Sequence, residues 1–145
     1  MRRQVFTSTV SLLLILLIAA AAMLTGCGRP GGHGTALGGA EIVERYGMGS
    51  GETTITFTVV DDENKAVVYT LHTDATNLRG VLTECDLIPA GNPGDMVTTV
   101  CGLTADWSVD QGWWCLYEGD VMASTGVDGM TLTDGGSYAF VYTRG

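Results

Sequence analysis

Apolar and polar positions alternate with a period of two over Thr53–Val60 (TTITFTVV), with Ile55, Phe57 and Val59 on one side and threonines on the other. This is the pattern of a half-buried strand, so those three side chains are predicted to face the core. A polar stretch, Asp61-Asp62-Glu63-Asn64-Lys65, breaks the run, and Ala66–Thr73 (AVVYTLHT) resumes it, which predicts a β-hairpin over residues 53–73. The period then changes. Leu78, Val81, Leu82 and Cys85 stand at i, i+3, i+4 and i+7, one stripe of a short amphipathic helix that N-cap candidates in Asp74–Asn77 precede. Gly80 within the stripe predicts a close approach of backbone to the sheet.

Beyond the loop punctuation of residues 89–94 (PAGNPG), Asp95–Gly102 reads as a third strand and Leu103–Gln111 as a loop carrying Asp106, Trp107 and Asp110. Gln111–Asp120 (QGWWCLYEGD) is the densest aromatic segment of the chain. Alternation places Trp113, Cys115 and Tyr117 on one face of a strand and Trp114, Leu116 and Glu118 on the other. Such a strand is either central or turns one aromatic face toward a ligand. A turn at Glu118–Asp120, a mixed stretch to Thr131 and a second turn at residues 132–136 lead to Ser137–Thr143, with Tyr138, Phe140 and Tyr142 on one face. Two strands, a helix, then further strands predict an α+β fold: a small β-grasp-like domain with a mixed sheet and one short helix.

The N-terminal third has no such pattern. Arg2 and Arg3 precede an unbroken apolar run, Leu12 to Leu24. Its length falls short of the ~20 residues of a membrane span and suits the apolar region of a signal peptide. The run closes in Leu24-Thr25-Gly26-Cys27, which resembles a bacterial lipobox and implies lipidation of the Cys27 thiol after cleavage. Residues 1–26 are thus expected to be a lipoprotein signal peptide and residues 27–51 the lipidated cysteine with a Gly-rich tether, leaving 52–145 as the domain. The tether carries few bulky apolar side chains, and Glu41–Tyr46 is too short for a helix that stands alone. GMGSGE at 47–52 lacks the Gly-Lys-Ser/Thr ending of a phosphate loop.

Charge narrows the function classes. Sixteen acids against seven Lys and Arg give −9; without Arg2 and Arg3, 16 acids face 5 bases, a net of −11. Nucleic acid needs the opposite. No nucleophile elbow is present, and His72 is alone within a strand, so no catalytic constellation is expected and the protein is read as not an enzyme. The acids at 61–63 do not follow calcium-loop spacing, Cys85, Cys101 and Cys115 form no CxxC pair, and no bound cofactor or metal is expected. An extracytoplasmic compartment permits a disulfide among these three cysteines in any of three pairings; buried thiols are the other reading. Trp113 and Trp114 cannot both point inward from a regular strand. Trp107, Trp113, Trp114 and Tyr117 are therefore the candidate ligand-binding residues.

The hairpin, the helix pattern over Asp74–Leu82, V-T-T-V-C-G at 97–102, G-W-W at 112–114, Tyr117-x-Gly119 and the closing L-x-D-G-x-x-Y-x-F-x-Y resemble, in order and spacing, the transcobalamin-like C-terminal domain family, also called DUF4430. The resemblance covers about residues 53–143. It implies likeness to the smaller β-domain of the vitamin B12 carriers, where cobalamin lies between that domain and an α/α-barrel. Where that family carries Asn-Gly after the aromatic strand, this chain has Glu118-Gly119. Together with the lipobox, the resemblance implies a lipid-anchored binding module on the extracytoplasmic face of a bacterial membrane that captures a corrinoid or other small ligand at an aromatic loop face. The alternative is a cell-surface protein-interaction or adhesion module whose partner is another surface protein.

Overall fold

The computed structural model describes residues 36–145. The expected signal peptide, Cys27 and the first part of the tether lie outside the described residues. The described residues cluster within one compact unit. After a 3-10 turn at Leu37–Gly39, the chain forms β1 (Glu41–Gly49), β2 (Thr53–Val60), β3 (Lys65–Thr73) and helix α1 (Leu78–Glu84). Two short strands, β4 (Thr99–Val100) and β5 (Leu103–Thr104), precede a four-residue helix α2 (Trp107–Asp110). The chain ends with β6 (Gly112–Glu118), β7 (Val121–Met122) and β8 (Ser137–Arg144). Six of these strands form one mixed sheet in the order β1-β3-β2-β8-β6-β7, while β4 and β5 pair with each other.

At the centre of the sheet, β2 runs parallel to β8, with Phe57 opposite Tyr138 and Val59 opposite Phe140. The outer pairs β2–β3 and β8–β6 are antiparallel. This is the expected α+β, β-grasp-like layout: a hairpin, a helix across one face, and a final strand lying beside the first strand of the hairpin. The predicted inward faces are as read from the alternation. Ile55, Phe57, Val59, Tyr138 and Phe140 are buried against Leu78, Val81 and Leu82 of α1. Asn77 caps the helix, its Oδ1 accepting the Gly80 N–H at 2.9 Å. The two preceding N–H groups, of Leu78 and Arg79, donate to the carbonyls of Met130 (2.9 Å) and Val127 (3.2 Å). These bonds satisfy the donors that every helix start leaves free, and they dock the mixed stretch after β7 onto the helix. Arg79 strengthens the same junction by gripping both oxygens of Asp128 at 2.6 and 2.9 Å.

Four expectations need correction. Residues 41–49, read as part of the tether, are strand β1, paired in parallel with β3 and irregular between Ile42 and Glu44. The edge of β3 supplies the backbone partners that an isolated six-residue helix lacks, and Tyr46 stacks on Tyr69 with ring centroids 5.7 Å apart. The Gly-rich stretch after β1 crosses the end of β3: a Cβ on Gly49 (φ 82°) would sit 2.3 Å from the His72 carbonyl oxygen, so only glycine admits this crossing. Asp95–Gly102 forms only the two strand residues of β4, because its partner is the equally short β5. A second, four-residue helix stands where a plain loop was expected. Gly80 packs closely against the loop before α1, where an added Cβ would stand 2.9 Å from the Ala75 Cβ, and not against the sheet.

Candidate functional site

The aromatic strand β6 is not central. It lies next to the outermost strand, and its cover on that side, β7, pairs with Tyr117 and Glu118 alone. Its first half, Gly112–Cys115, therefore borders other structure. Alternation sends the two tryptophans opposite ways, as predicted. Trp114 is 8% exposed and turns into the core, edge-on to Phe140 (6.2 Å, 69°) and Tyr142 (5.2 Å, 85°). Its indole Nε1–H donates to the Thr98 carbonyl at 3.2 Å, which fixes the strap before β4 beside the strand. Trp113 points outward and is 41% exposed.

Helix α2 brings the third tryptophan to the same corner. Asp106 caps it, accepting the Ser108 N–H (2.8 Å) and hydroxyl (2.6 Å), and these bonds hold its carboxyl below the ordinary carboxylate range. Gln111 ends it in a left-handed conformation (φ 56°). Asp110 then ties the helix to the sheet. One oxygen accepts the Gly112 N–H at 2.9 Å, and the other accepts the Tyr142 hydroxyl at 2.9 Å and Arg144 Nε at 3.0 Å. Arg144 also reaches Asp62 at 3.1 Å and lies over the Tyr142 ring. The Tyr142 and Arg144 bonds lower the Asp110 pKa, while burial and Asp110 raise that of Tyr142. Gly112 has no room for a side chain in this latch, since a Cβ would stand 2.2 Å from the Tyr142 hydroxyl. At the chain end, a Cβ on Gly145 would meet the Trp107 ring at 2.8 Å, so the indole rests on bare backbone.

The outcome is a groove of about 590 Å³ lined by Trp107, Gly112, Trp113 and Trp114 with Met96, Val97, Thr98 and Ala105. Trp107 is 60% exposed and Met96 also stands open to solvent. Three of the four candidate residues thus share one concave, mainly apolar surface, although no two of the three are on the same face of one element. Tyr117 does not join them. It is half-buried on the Trp113 face of β6, where burial and Cys115 raise its pKa. Met96–Thr98 and Ala105 were not singled out by sequence, because they were read as strand and loop backbone; the one cue was an apolar Met-Val pair directly after loop punctuation. A second cleft, of about 460 Å³, opens on the other side of Met96 and Val97 and reaches Leu116, Phe140 and Asp128.

The remaining candidates are accounted for locally. Cys85, Cys101 and Cys115 are free thiols, of which only Cys115 is buried. Cys101 has a positive φ of 49°, and its Sγ lies 3.4 Å from the Tyr69 hydroxyl. Burial and this contact push the Tyr69 pKa up. His72 is exposed and its Nδ1 is 3.0 Å from Thr54 Oγ1. Among the described residues, no three His, Cys, Asp or Glu side chains are grouped to hold a metal ion.

No protein-family model matches the chain, and no curated protein does. Solved structures do. The chain is similar to a candidate metal binding protein from Ruminococcus gnavus, with a TM-score of 0.60 and 33% identity over 65% of this chain and 99% of that one. Haptocorrin in complex with Cbi matches with a TM-score of 0.49 and 17% identity over 63% of this chain and 25% of its own length. With a third of its positions identical over nearly the whole of the Ruminococcus gnavus protein, this chain belongs to the same family as that protein.

Proposed function

We propose that this protein is a binding module, not an enzyme, held on the extracytoplasmic face of a bacterial membrane by lipid on Cys27. Its groove at Trp107, Trp113 and Trp114 captures a small ligand. The observation that carries this reading is the convergence of three tryptophans from two elements on one groove, two of them substantially exposed. Exposing indoles next to a packed core forgoes apolar burial, and a ligand that covers them recovers it. The scaffold keeps the groove open before any ligand arrives, through the Asp110 latch and the Trp114–Thr98 bond.

The sequence resemblance to the transcobalamin-like family makes a corrinoid the specific ligand class. The relative from Ruminococcus gnavus is a candidate metal binding protein. A corrinoid carries its metal inside an organic ring, so capturing one asks for an apolar groove more than for metal-ligating side chains. The test is a titration of the full chain in non-ionic detergent with a corrinoid, following tryptophan fluorescence with inner-filter correction. Saturable quenching at micromolar or tighter affinity supports capture. No change up to about 1 mM ligand, roughly −4 kcal/mol, overturns it. Incorporation of labelled fatty acid, lost in Cys27→Ser, tests the anchor.

A protein-interaction module is the second reading, and the opposite edge of the sheet favours it. Strand β1 is outermost there and leaves Val43 and Tyr46 exposed. An uncovered edge strand with apolar side chains is a template for another chain.

A further inference from the structure

Resting on the reading of the groove as the ligand site, we infer that it selects ligands through a bulky, weakly hydrated organic cation, such as a quaternary ammonium group, seated against Trp107 and Trp113. Four observations converge on this chemistry.

The lining offers π faces. Trp107 and Trp113 make no ring contact with any aromatic among the described residues, in contrast to Trp114, whose ring is engaged by Phe140 and Tyr142. Trp113 and the side of Trp107 turned away from Gly145 thus offer indole surface to a guest, and a cation over an indole face is the strongest of the cation–aromatic pairings.

The lining also has almost no means to hold an anion. It contains no Lys, Arg or His, and its side-chain N–H donors are the three indoles, of which that of Trp114 is committed to Thr98. A phosphate or carboxylate group would exchange its hydration for the Thr98 hydroxyl and two indole N–H groups, with no opposing charge among the lining side chains.

The described part of the chain is strongly acidic as a whole. All 16 Asp and Glu of the chain fall within residues 36–145, against four bases (Arg45, Lys65, Arg79 and Arg144), a net of −12. Three of those bases are bound to carboxylates: Lys65 to Glu63, Arg79 to Asp128, and Arg144 to Asp110 and Asp62. The surplus acid is left to attract cations from solution.

Finally, the groove suits a weakly hydrated cation better than a hydrated one. A metal ion or a primary ammonium needs several oxygen partners in place of its water, and the lining side chains include no carboxylate. An alkylated ammonium has no such need and spreads its charge over methyl groups that pack on indole and thioether.

The test uses the full chain in non-ionic detergent, with protein-free micelles as the blank and ionic strength held constant. Ligand-observed proton NMR compares choline with dimethylbutanol, the neutral isostere in which carbon replaces nitrogen. Saturable binding of choline is expected, with dimethylbutanol at least about tenfold weaker. Trp107→Leu and Trp113→Leu should each weaken choline binding about tenfold, while Trp107→Phe keeps most of it; circular dichroism checks that each variant folds. Equal affinity for the two isosteres overturns the cation inference but leaves the groove as a ligand site. So does corrinoid quenching without choline binding. Choline binding untouched by both Leu variants places it elsewhere and overturns the inference. Silence toward choline, dimethylbutanol and corrinoid alike overturns the groove reading as well.

Discussion

Phe57 and Trp107 lie in the two contrasting regions of this molecule. Phe57 is fully buried between Tyr69 and Phe140, in a layer where hairpin, helix and last strand all close on one another. Trp107 sits on a four-residue helix that buries none of its own residues and is held by polar ties at both ends. The first region is stabilised by apolar area, the second by hydrogen bonds that aim side chains outward. A fold this small can expose aromatic surface at one corner only because the other region supplies the stability.

Substitutions should separate the two. Phe57→Ala is expected to have the largest effect on stability, a loss of about 3–5 kcal/mol in urea unfolding, since it opens a cavity under the central strands. Gly112→Ala should cost about 1–3 kcal/mol, because its Cβ drives into the Tyr142 hydroxyl and the Asp110 carboxylate, and it should also displace Trp107 and reduce ligand affinity. Asn77→Ala removes the α1 cap and should cost about 1 kcal/mol without change in the groove. Trp107→Ala should alter stability by less than about 0.5 kcal/mol while weakening ligand binding at least tenfold.

Acid provides a finer separation. The Asp110 pKa is depressed in the folded state by Tyr142 and Arg144. Its contribution is therefore present above the ordinary carboxylate pKa and is lost as pH falls through the lower, folded value. Amide exchange at residues 107–112 should quicken below the ordinary carboxylate range before exchange in β2 and β3 does. Equal acid sensitivity in Asp110→Asn and the parent would show that the latch is not responsible.

The same contrast explains what the sequence made legible. Thr53–Val60, Leu78–Leu82 and Ser137–Thr143 carry their instructions locally, as a period of two or of 3.6, and each buried face is where that period put it. The opposite fates of Trp113 and Trp114 follow from the same alternation. Residues 94–111 carry no period because their strands are two residues long and their helix four; they take shape from distant partners such as Tyr142, Arg144 and the Trp114 indole. Strand β1 was hidden for a related reason. Its glycines suggest a tether, and only the free edge of β3 makes Glu41–Gly49 a strand. Met96 entered the groove unannounced because its strap is held through backbone carbonyls, Asp95 by Arg79 and Thr98 by the Ala105 N–H and the Trp114 indole, which leaves no trace in its own side chains.

The most direct test of the groove as the ligand site is nitrogen–proton NMR of the three indole N–H signals while a corrinoid is added to the full chain. The account predicts saturable shifts at Trp107 and Trp113 and a smaller one at Trp114, whose N–H stays on the Thr98 carbonyl. Three stationary indole signals, with shifts elsewhere on the surface or none at all, would contradict it.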